Sequence, residues 1–454
     1  MKKVDITGGP IIRSVITYSL PIMLGALIQV AFNAADLMVV GNLGDEASVA
    51  AVGAVTPIVG LLVTSFVGLS AGVNAVLARC VGEGDEERAK RIVSTALIFS
   101  VAFGILLMGG CVLFSKPLLI AVGCEKEYFS QSVAYMNIYC LGIPAIMLYN
   151  FASAVIRISG DTQRPFIYLV IAGVVNVLLN IVLCFVLEQK AAAVAAATTA
   201  SQAIGALLCM IQLLRSQGYC SFSFKRMSFS VKELIAILKI GTPCAFNSML
   251  FSLSNVQMNA AINSYGLSAT AGNAAAANLE TLVSSFTTGF NTATVSFVGQ
   301  NVGAGNKKRV GQAILWCFVI SVSLAFITSE LIFLLRDYAL ALYLPDAADA
   351  VAVATLRMKR VLLIMPVAAA MNIFVSSLQA FGYSFIPMMN SIITVLVFRL
   401  IWLEFIYPPL EAIEHTIDNV YLCYTVSWIL SLLAHATMFT VIYLRYRKGK
   451  VKKI

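Results

Sequence analysis

Long apolar runs separated by short polar connectors divide nearly the whole chain of 454 residues. A bilayer core about 30 Å thick takes roughly 20 apolar residues per helical span. Only 12% of the residues are charged, whereas soluble proteins carry about 25%. The sequence therefore predicts an all-α integral membrane protein with twelve transmembrane helices. The predicted spans are 14–41, 50–80, 91–114, 130–157, 164–187, 191–216, 232–263, 270–300, 308–334, 352–380, 385–407 and 419–446.

Several classes of function are disfavoured by the same pattern. No polar stretch is long enough for an ATP-hydrolysing domain and no GxxxxGK[ST] loop occurs, so an ion gradient has to drive any transport. No HExxH motif occurs, and the GxSxG match GLSAG from Gly68 lies inside the predicted span 50–80, which leaves a membrane-embedded enzyme as a remote alternative. The ten cysteines form no CxxC pair, and we interpret them as small buried hydrophobes. We expect no cofactor and no nucleic-acid partner.

Most of the 31 Lys and Arg residues lie in alternate connectors. They concentrate before the first span, near 79–91, 157–164, 215–239 and 307–309, and after Leu444. Because cytoplasmic loops collect basic residues, this distribution predicts a multi-pass protein of the cell membrane with both termini in the cytoplasm. The net charge of +9 has the same explanation. Arg357 is counted among the outer connectors, whereas Arg399 falls inside a span.

The two halves of the chain repeat each other at a fixed offset of 222 residues. Pro21 and Pro243 correspond, and so do the pairs Gly44/Gly266, Pro144/Pro366, Gly160/Gly382 and Pro165/Pro387. The connector VGEGDEER from Val81 matches VGAGNKKR from Val302, one residue out of step. We predict two six-helix lobes, 1–216 and 240–454, joined by a cytoplasmic linker at 217–239. Each lobe has an even number of spans, so an axis along the membrane normal relates them.

Several motifs resemble one family. SGDTQRPF from Ser159, the two connectors above and PIMLGALIQVAFNAADLMVVGNLG from Pro21 are similar to sequences of the multidrug and toxic compound extrusion (MATE) family. The resemblance covers essentially the whole chain. It implies twelve helices in two lobes, alternating access, and export coupled to Na⁺ or H⁺.

Polar residues inside three spans of the first lobe predict a coupling site. Asp36 lies roughly 7.5 Å from the outer end of helix 1, and Asn180 and Thr198 lie roughly 10 Å from the outer ends of their helices. Asn176 and Asn180 are four residues apart and share a helix face. Their oxygens suit a hard cation such as Na⁺. Because burial disfavours a charged carboxylate, the cluster could instead carry a proton.

The family resemblance assigns Asp36, Asn176 and Thr198 to the cation site of the first lobe. Asn180 stands where many members carry a second aspartate, which puts a two-carboxylate mechanism in doubt. Thr199 is the alternative to Thr198. The resemblance also connects Pro21 with bending of helix 1 during transport, although a static kink explains a proline there equally well.

Glu280 is a second buried acid, roughly 15 Å from the outer end of its predicted helix. Polar neighbours, Asn255 and Gln257 among them, suggest a second acidic site that attracts a cationic substrate or takes a proton. The alternative is a structural role, either a hydrogen bond between helices or an ion pair with Arg399.

These observations predict a secondary antiporter that exports small organic compounds, cationic or amphipathic, in exchange for Na⁺ or H⁺. Its partners are the small-molecule substrate and the lipid bilayer, and we expect a monomer because one chain contains both lobes. A flippase for a lipid-linked precursor is the first alternative. That function needs a strongly basic cleft, and only Arg399 lies deep in a predicted span.

Overall fold

The computed structural model describes residues 3–345, 347–409 and 416–449, and all regular structure in these ranges is helical. The helices are α1 (Ile11–Leu43), α2 (Glu46–Glu83), α3 (Glu86–Leu113), α4 (Ser115–Ala121), α5 (Phe129–Leu141), α6 (Ile143–Ile158), α7 (Gln163–Val186), α8 (Lys190–Arg215), α9 (Val231–Asn263), α10 (Leu267–Gly303), α11 (Lys307–Leu334), α12 (Arg336–Ala341), α13 (Ala348–Arg360), α14 (Met365–Ala380), α15 (Phe385–Pro409) and α16 (Asp418–Arg447).

Within the described ranges, ten helices are long and apolar enough to cross a membrane, with α13 and α14 counted together. The predicted span 130–157 is divided between α5 and α6, which meet at an angle of 41° and make an eleventh candidate. The helix α10 is 37 residues long but is not among the candidates. Its many Ser, Thr and Asn residues lower its hydropathy, so this span is the most polar of the twelve predicted.

Helix α7 shows how the chain is adapted to a bilayer. Its exposed face carries large apolar side chains three or four residues apart, Ile171, Val174, Leu178, Ile181 and Phe185. Its buried face carries small and polar residues at the same spacing, Gly173, Asn176, Asn180 and Cys184. This arrangement inverts that of a soluble protein, because lipid solvates the apolar face and the protein interior must satisfy the polar one.

The two repeated connectors have the same local structure. Each ends a long helix with a glycine of positive φ, Gly84 at 78° and Gly305 at 70°, a conformation that favours glycine. The next residue, Asp85 or Asn306, accepts a hydrogen bond from a backbone N–H three residues on and begins the following helix. The sequence repeat is therefore a repeated helix–turn–helix structure.

Contacts divide the chain into two compact units. The first contains Met1–Asp5 and Leu24–Gly241, and the second contains Ile6–Met23 and Thr242–Ile454. These boundaries differ from the predicted lobes, because the first part of α1 belongs to the second unit and the first part of α9 belongs to the first. Each division of a helix falls two residues or fewer from its proline, Pro21 in α1 and Pro243 in α9.

Close packing holds both helix parts in their units. In the second unit, the hydroxyl groups of Tyr18 and Ser296 are 2.8 Å apart. In the first unit, the guanidinium of Arg88 donates to Glu233 over 3.1 Å, and Glu233 is buried. Gly72 of α2 lies so near the backbone of α9 that a Cβ atom would clash with it. The glycine therefore permits direct contact between two helix backbones.

Candidate functional site

The four polar residues predicted to form a coupling site lie together in the first unit. The amide nitrogen of Asn180 donates to Asp36 Oδ1 over 2.5 Å and to Asn176 Oδ1 over 3.3 Å. The amide nitrogen of Asn176 donates to Thr198 Oγ1 over 3.3 Å. Three helices, α1, α7 and α8, thus contribute to one connected hydrogen-bond network.

The network ends in an oxygen atom that has no partner. Asn180 is fully buried, and its Oδ1 atom accepts no hydrogen bond from any residue that the structure describes. A buried acceptor without a partner costs roughly 1–3 kcal/mol, and a bound water or ion is one way to satisfy it. With the carboxylate of Asp36, this oxygen makes the cluster chemically suited to a small hard cation.

A cavity of about 450 Å³ opens beside the cluster. Asp36, Asn176 and Thr198 line it, and of the described residues in its wall Asp36 is the one carboxylate. Tyr135 and Tyr139 form part of its wall, with ring centroids 6.2 Å apart. A cation or proton that enters the cavity therefore meets one acidic group, at Asp36.

Thr198 and Thr199 have different surroundings. The hydroxyl of Thr199 donates to the backbone oxygen of Ile138 over 3.0 Å, so it packs α8 against α5. The hydroxyl of Thr198 faces the cavity and the amide of Asn176. Of the two threonines, Thr198 is the one whose oxygen belongs to the cluster.

Glu280 forms an ion pair with Arg357, so the predicted alternative of a pair with Arg399 is wrong. The Nε and Nη2 atoms of Arg357 each lie 2.7 Å from an oxygen of Glu280. The Nη1 atom of the same guanidinium also donates to Asn273 Oδ1. Only 6% of the Arg357 side chain and 12% of the Glu280 side chain are exposed. The charge of Glu280 is therefore matched inside the protein.

Arg399 is the largest fully buried side chain of the described residues. It donates to the neutral oxygens of Ser254, Asn255 and Ser427 at 3.1 to 3.2 Å. Its guanidinium carbon also lies 4.3 Å from the ring centroid of Tyr424. Two π-helical turns of α15, Ile392–Val397 and Trp402–Ile406, flank this residue. Such turns often occur where a helix is adapted to place a functional side chain.

The second unit has its own cavity, of about 480 Å³. Glu280, Arg357 and Asn255 line it, together with Ser, Thr, Asn and apolar side chains. Gln257 is not among its lining residues, because two residues along a helix turn a side chain about 200° away from Asn255. The predicted second site thus brings Glu280 and Asn255 together and leaves Gln257 elsewhere on α9.

Arg357 is the residue that the sequence interpretation misplaced. It was counted with the outer connectors, yet the structure buries it at the end of α13. The sequence contained a signal, because residue 357 lies within the predicted span 352–380. An arginine inside a span is a functional candidate by the same reasoning that selects Glu280.

Long apolar helices that repeat in two halves and enclose polar clusters and cavities define a multi-pass membrane protein. The MatE family model matches residues 21–186 and 243–403, and the chain belongs to this family of MATE transporters.

The chain is similar to several known proteins. It is 30% identical over 312 residues to the probable multidrug resistance protein YpnP of Bacillus subtilis (strain 168), a match that covers 68% of this chain and 69% of that protein. It is 26% identical over 320 residues to the FAD transporter of Shewanella oneidensis, covering 67% and 68% of the two chains. A crystal structure of MATE in complex with MaL6 superposes with a TM-score of 0.90 at 20% identity, covering 99% of this chain and 100% of that one.

Proposed function

We propose that this protein is an antiporter of the cell membrane that exports small organic compounds in exchange for Na⁺ or H⁺. The observation that carries the proposal is the cluster of Asp36, Asn176, Asn180 and Thr198 beside a cavity with a single carboxylate. The names of its relatives support export of small molecules, since one is a probable multidrug resistance protein and another an FAD transporter.

In the proposed cycle, both termini lie in the cytoplasm and the two six-helix lobes alternate in access. Asp36 accepts the incoming cation or proton from the outside, and Asn176, Asn180 and Thr198 supply neutral oxygens around it. Neutralising Asp36 changes the hydrogen bond that its carboxylate accepts from Asn180. Because Asp36 lies on the same helix as Pro21, a change at the cluster can alter the bend of α1, where one backbone hydrogen bond is already missing.

The test is efflux from liposomes under separate gradients of Na⁺ and pH. Wild type is compared with Asp36→Asn, using one anionic and one cationic fluorescent dye. We expect one gradient to accelerate efflux of a dye in wild type, and the Asp36→Asn rate to equal the rate without a gradient. The gradient that works identifies the coupling ion.

Asp45→Asn is a matched control nine residues along the chain. Asp45 caps α2 by accepting from the backbone N–H of Ser48 over 3.0 Å, and Asn caps a helix equally well. This variant should transport like wild type. Gradient-driven efflux that persists in Asp36→Asn contradicts the coupling role of Asp36, and a wild type that moves no dye under either gradient contradicts antiport.

A further inference from the structure

The cavities of the two units are counterparts in the internal repeat. Asn33 and Asn150 line the first cavity, and their counterparts 222 residues on, Asn255 and Asn372, line the second. Along α2 and α10 the offset is 221, as it is for the connectors that follow these helices. Equivalent positions of the repeat therefore line both cavities, and the residues that differ at these positions show how each cavity is specialised.

Four positions along α2 and α10 show the clearest difference. The first cavity has Val59, Gly60, Val63 and Val67, which offer no side-chain hydrogen bond. The counterparts in the second cavity, all of which can make hydrogen bonds, are Glu280, Thr281, Ser284 and Thr288. At these four positions, side chains without hydrogen-bonding groups in the first cavity correspond to polar side chains in the second. Such a polar wall suits a ligand with several hydrogen-bonding groups.

The electrostatics of the two cavities also differ in sign. Asp36 gives the first cavity its negative charge, and its counterpart in the second unit is Met258, which is fully buried. In the second cavity, the charge of Glu280 is matched by Arg357. Arg399 contacts the lining residue Asn255, and its polar contacts in the described part of the chain are all neutral. Among the described residues, this positive charge near the cavity is therefore not matched by a carboxylate.

Arg399 also controls the orientation of a lining residue. It donates to the Oδ1 atom of Asn255, a lining residue of the cavity, over 3.1 Å, so the amide oxygen of Asn255 is turned toward the guanidinium. The cavity thus combines the hydroxyl groups of Thr281, Ser284 and Thr288 with an asparagine that contacts a buried positive charge.

From these observations we propose that the cavity of the second unit binds a small organic anion that carries hydroxyl or N–H groups. The anionic group lies toward Asn255 and Arg399, and its hydroxyl or N–H groups donate to the hydroxyl oxygens of Thr281, Ser284 and Thr288. Phe251 and Trp428 give the same cavity an apolar side for the carbon skeleton. The inference deepens the proposed function by naming the substrate class, in place of the organic cation that Glu280 alone would attract.

The test is equilibrium binding to the purified full-length protein in detergent, with no gradient. The probes are carboxyfluorescein, which is anionic, and rhodamine 123, which is cationic and has the same xanthene ring system. Fluorescence anisotropy gives both dissociation constants. We expect carboxyfluorescein to bind at least tenfold more tightly than rhodamine 123, and Arg399→Gln to weaken carboxyfluorescein binding at least tenfold. Equal affinities or a preference for rhodamine 123 would overturn the proposal.

A second variant avoids removing a buried charge. Thr288→Val places in the second cavity the residue that the first cavity has at its counterpart, Val67. We expect it to weaken carboxyfluorescein binding about fivefold. Thr437→Val is the matched control, because Thr437 is also exposed and donates to a backbone oxygen four residues back, but on α16 away from the cavity. Equal effects of the two substitutions would contradict a binding role for Thr288.

Binding and transport can fail separately. Charge-selective binding without gradient-driven efflux leaves the cavity assigned and removes the antiporter proposal. Gradient-driven efflux of rhodamine 123 alone, with no carboxyfluorescein binding, leaves antiport in place and removes the anion site.

Discussion

Breaking the buried ion pair between Glu280 and Arg357 should cost far more stability than breaking an exposed pair of the same chemistry. Both side chains are at least 88% buried, and the guanidinium binds both carboxylate oxygens. Removing one partner of a buried pair leaves an uncompensated charge, which costs about 3–5 kcal/mol. Unit charges about 4 Å apart interact by about 4 kcal/mol at an effective dielectric constant of about 20. Because glutamine keeps one acceptor, we predict that Glu280→Gln lowers the free energy of unfolding by about 3 kcal/mol.

The chain contains a matched control. Arg360 pairs with Asp418 over 2.5 Å, also through two nitrogens, but 44% of the Arg360 side chain is exposed. Exposed pairs contribute about 0–1 kcal/mol, so Asp418→Asn should cost less than 1 kcal/mol. The double variant Glu280→Gln/Arg357→Met buries no unpaired charge. It should therefore recover at least half of the free energy of unfolding that Glu280→Gln loses.

The assay is unfolding by sodium dodecyl sulfate in mixed micelles, followed by circular dichroism. The free energy of unfolding is obtained for wild type, the three variants and Arg357→Met alone, which completes a double-mutant cycle. A Glu280→Gln cost below 1 kcal/mol, or one equal to that of Asp418→Asn, would refute the reasoning. So would a double variant as unstable as the sum of its single substitutions.

Three further predictions concern the coupling site and the helices around it. Thr198→Val should raise the cation concentration needed for half-maximal efflux at least fivefold, because the Thr198 hydroxyl contributes an oxygen to the cluster. Thr199→Val should leave that concentration unchanged, because the Thr199 hydroxyl bonds to the backbone of α5 instead. Ion titrations of efflux from liposomes compare the two variants. Gly72→Ala should lower the free energy of unfolding by about 1–3 kcal/mol, because the new Cβ atom would clash with α9. Gly53→Ala is the control, since no atom lies near that position, and it should leave the free energy of unfolding unchanged. Unfolding in mixed micelles measures both variants, and equal costs would contradict the close packing of α2 and α9. Pro21→Ala restores a backbone N–H in α1, so it should slow gradient-driven efflux without changing equilibrium dye binding; an unchanged rate would remove any role for the bend.

The cluster around Asp36 could be predicted from the sequence because its geometry is simple. Span lengths set the depth of each polar residue, and the helical period places Asn176 and Asn180 on one face. The structure then joins Asp36, Asn176, Asn180 and Thr198 in one network. That Asn180 is the member with an unpaired oxygen could not be predicted, since it depends on side-chain orientation.

The second unit was harder to predict for a physical reason. Long arginine side chains reach several ångströms from their helices, so depth along a helix does not identify their partners. Arg399 lies in a span and Arg357 near the end of one, and only the packing of α13 against α10 assigns Glu280 to Arg357. The break between α5 and α6 was also missed, because the sequence from 129 to 158 is apolar on both sides of Gly142.

The division of α1 and α9 near their prolines has a consequence for how the chain is made. Neither unit is encoded as one continuous segment, because each includes part of a helix from the other half of the sequence. A gene fragment that ends in the connector after α8 would lack Val231–Gly241, which belongs to the first unit. It would also include Ile6–Met23, which packs in the second unit. During synthesis, Tyr18 is made 278 residues before its partner Ser296. The first part of α1 must therefore wait until α10 has been made before it reaches its final position.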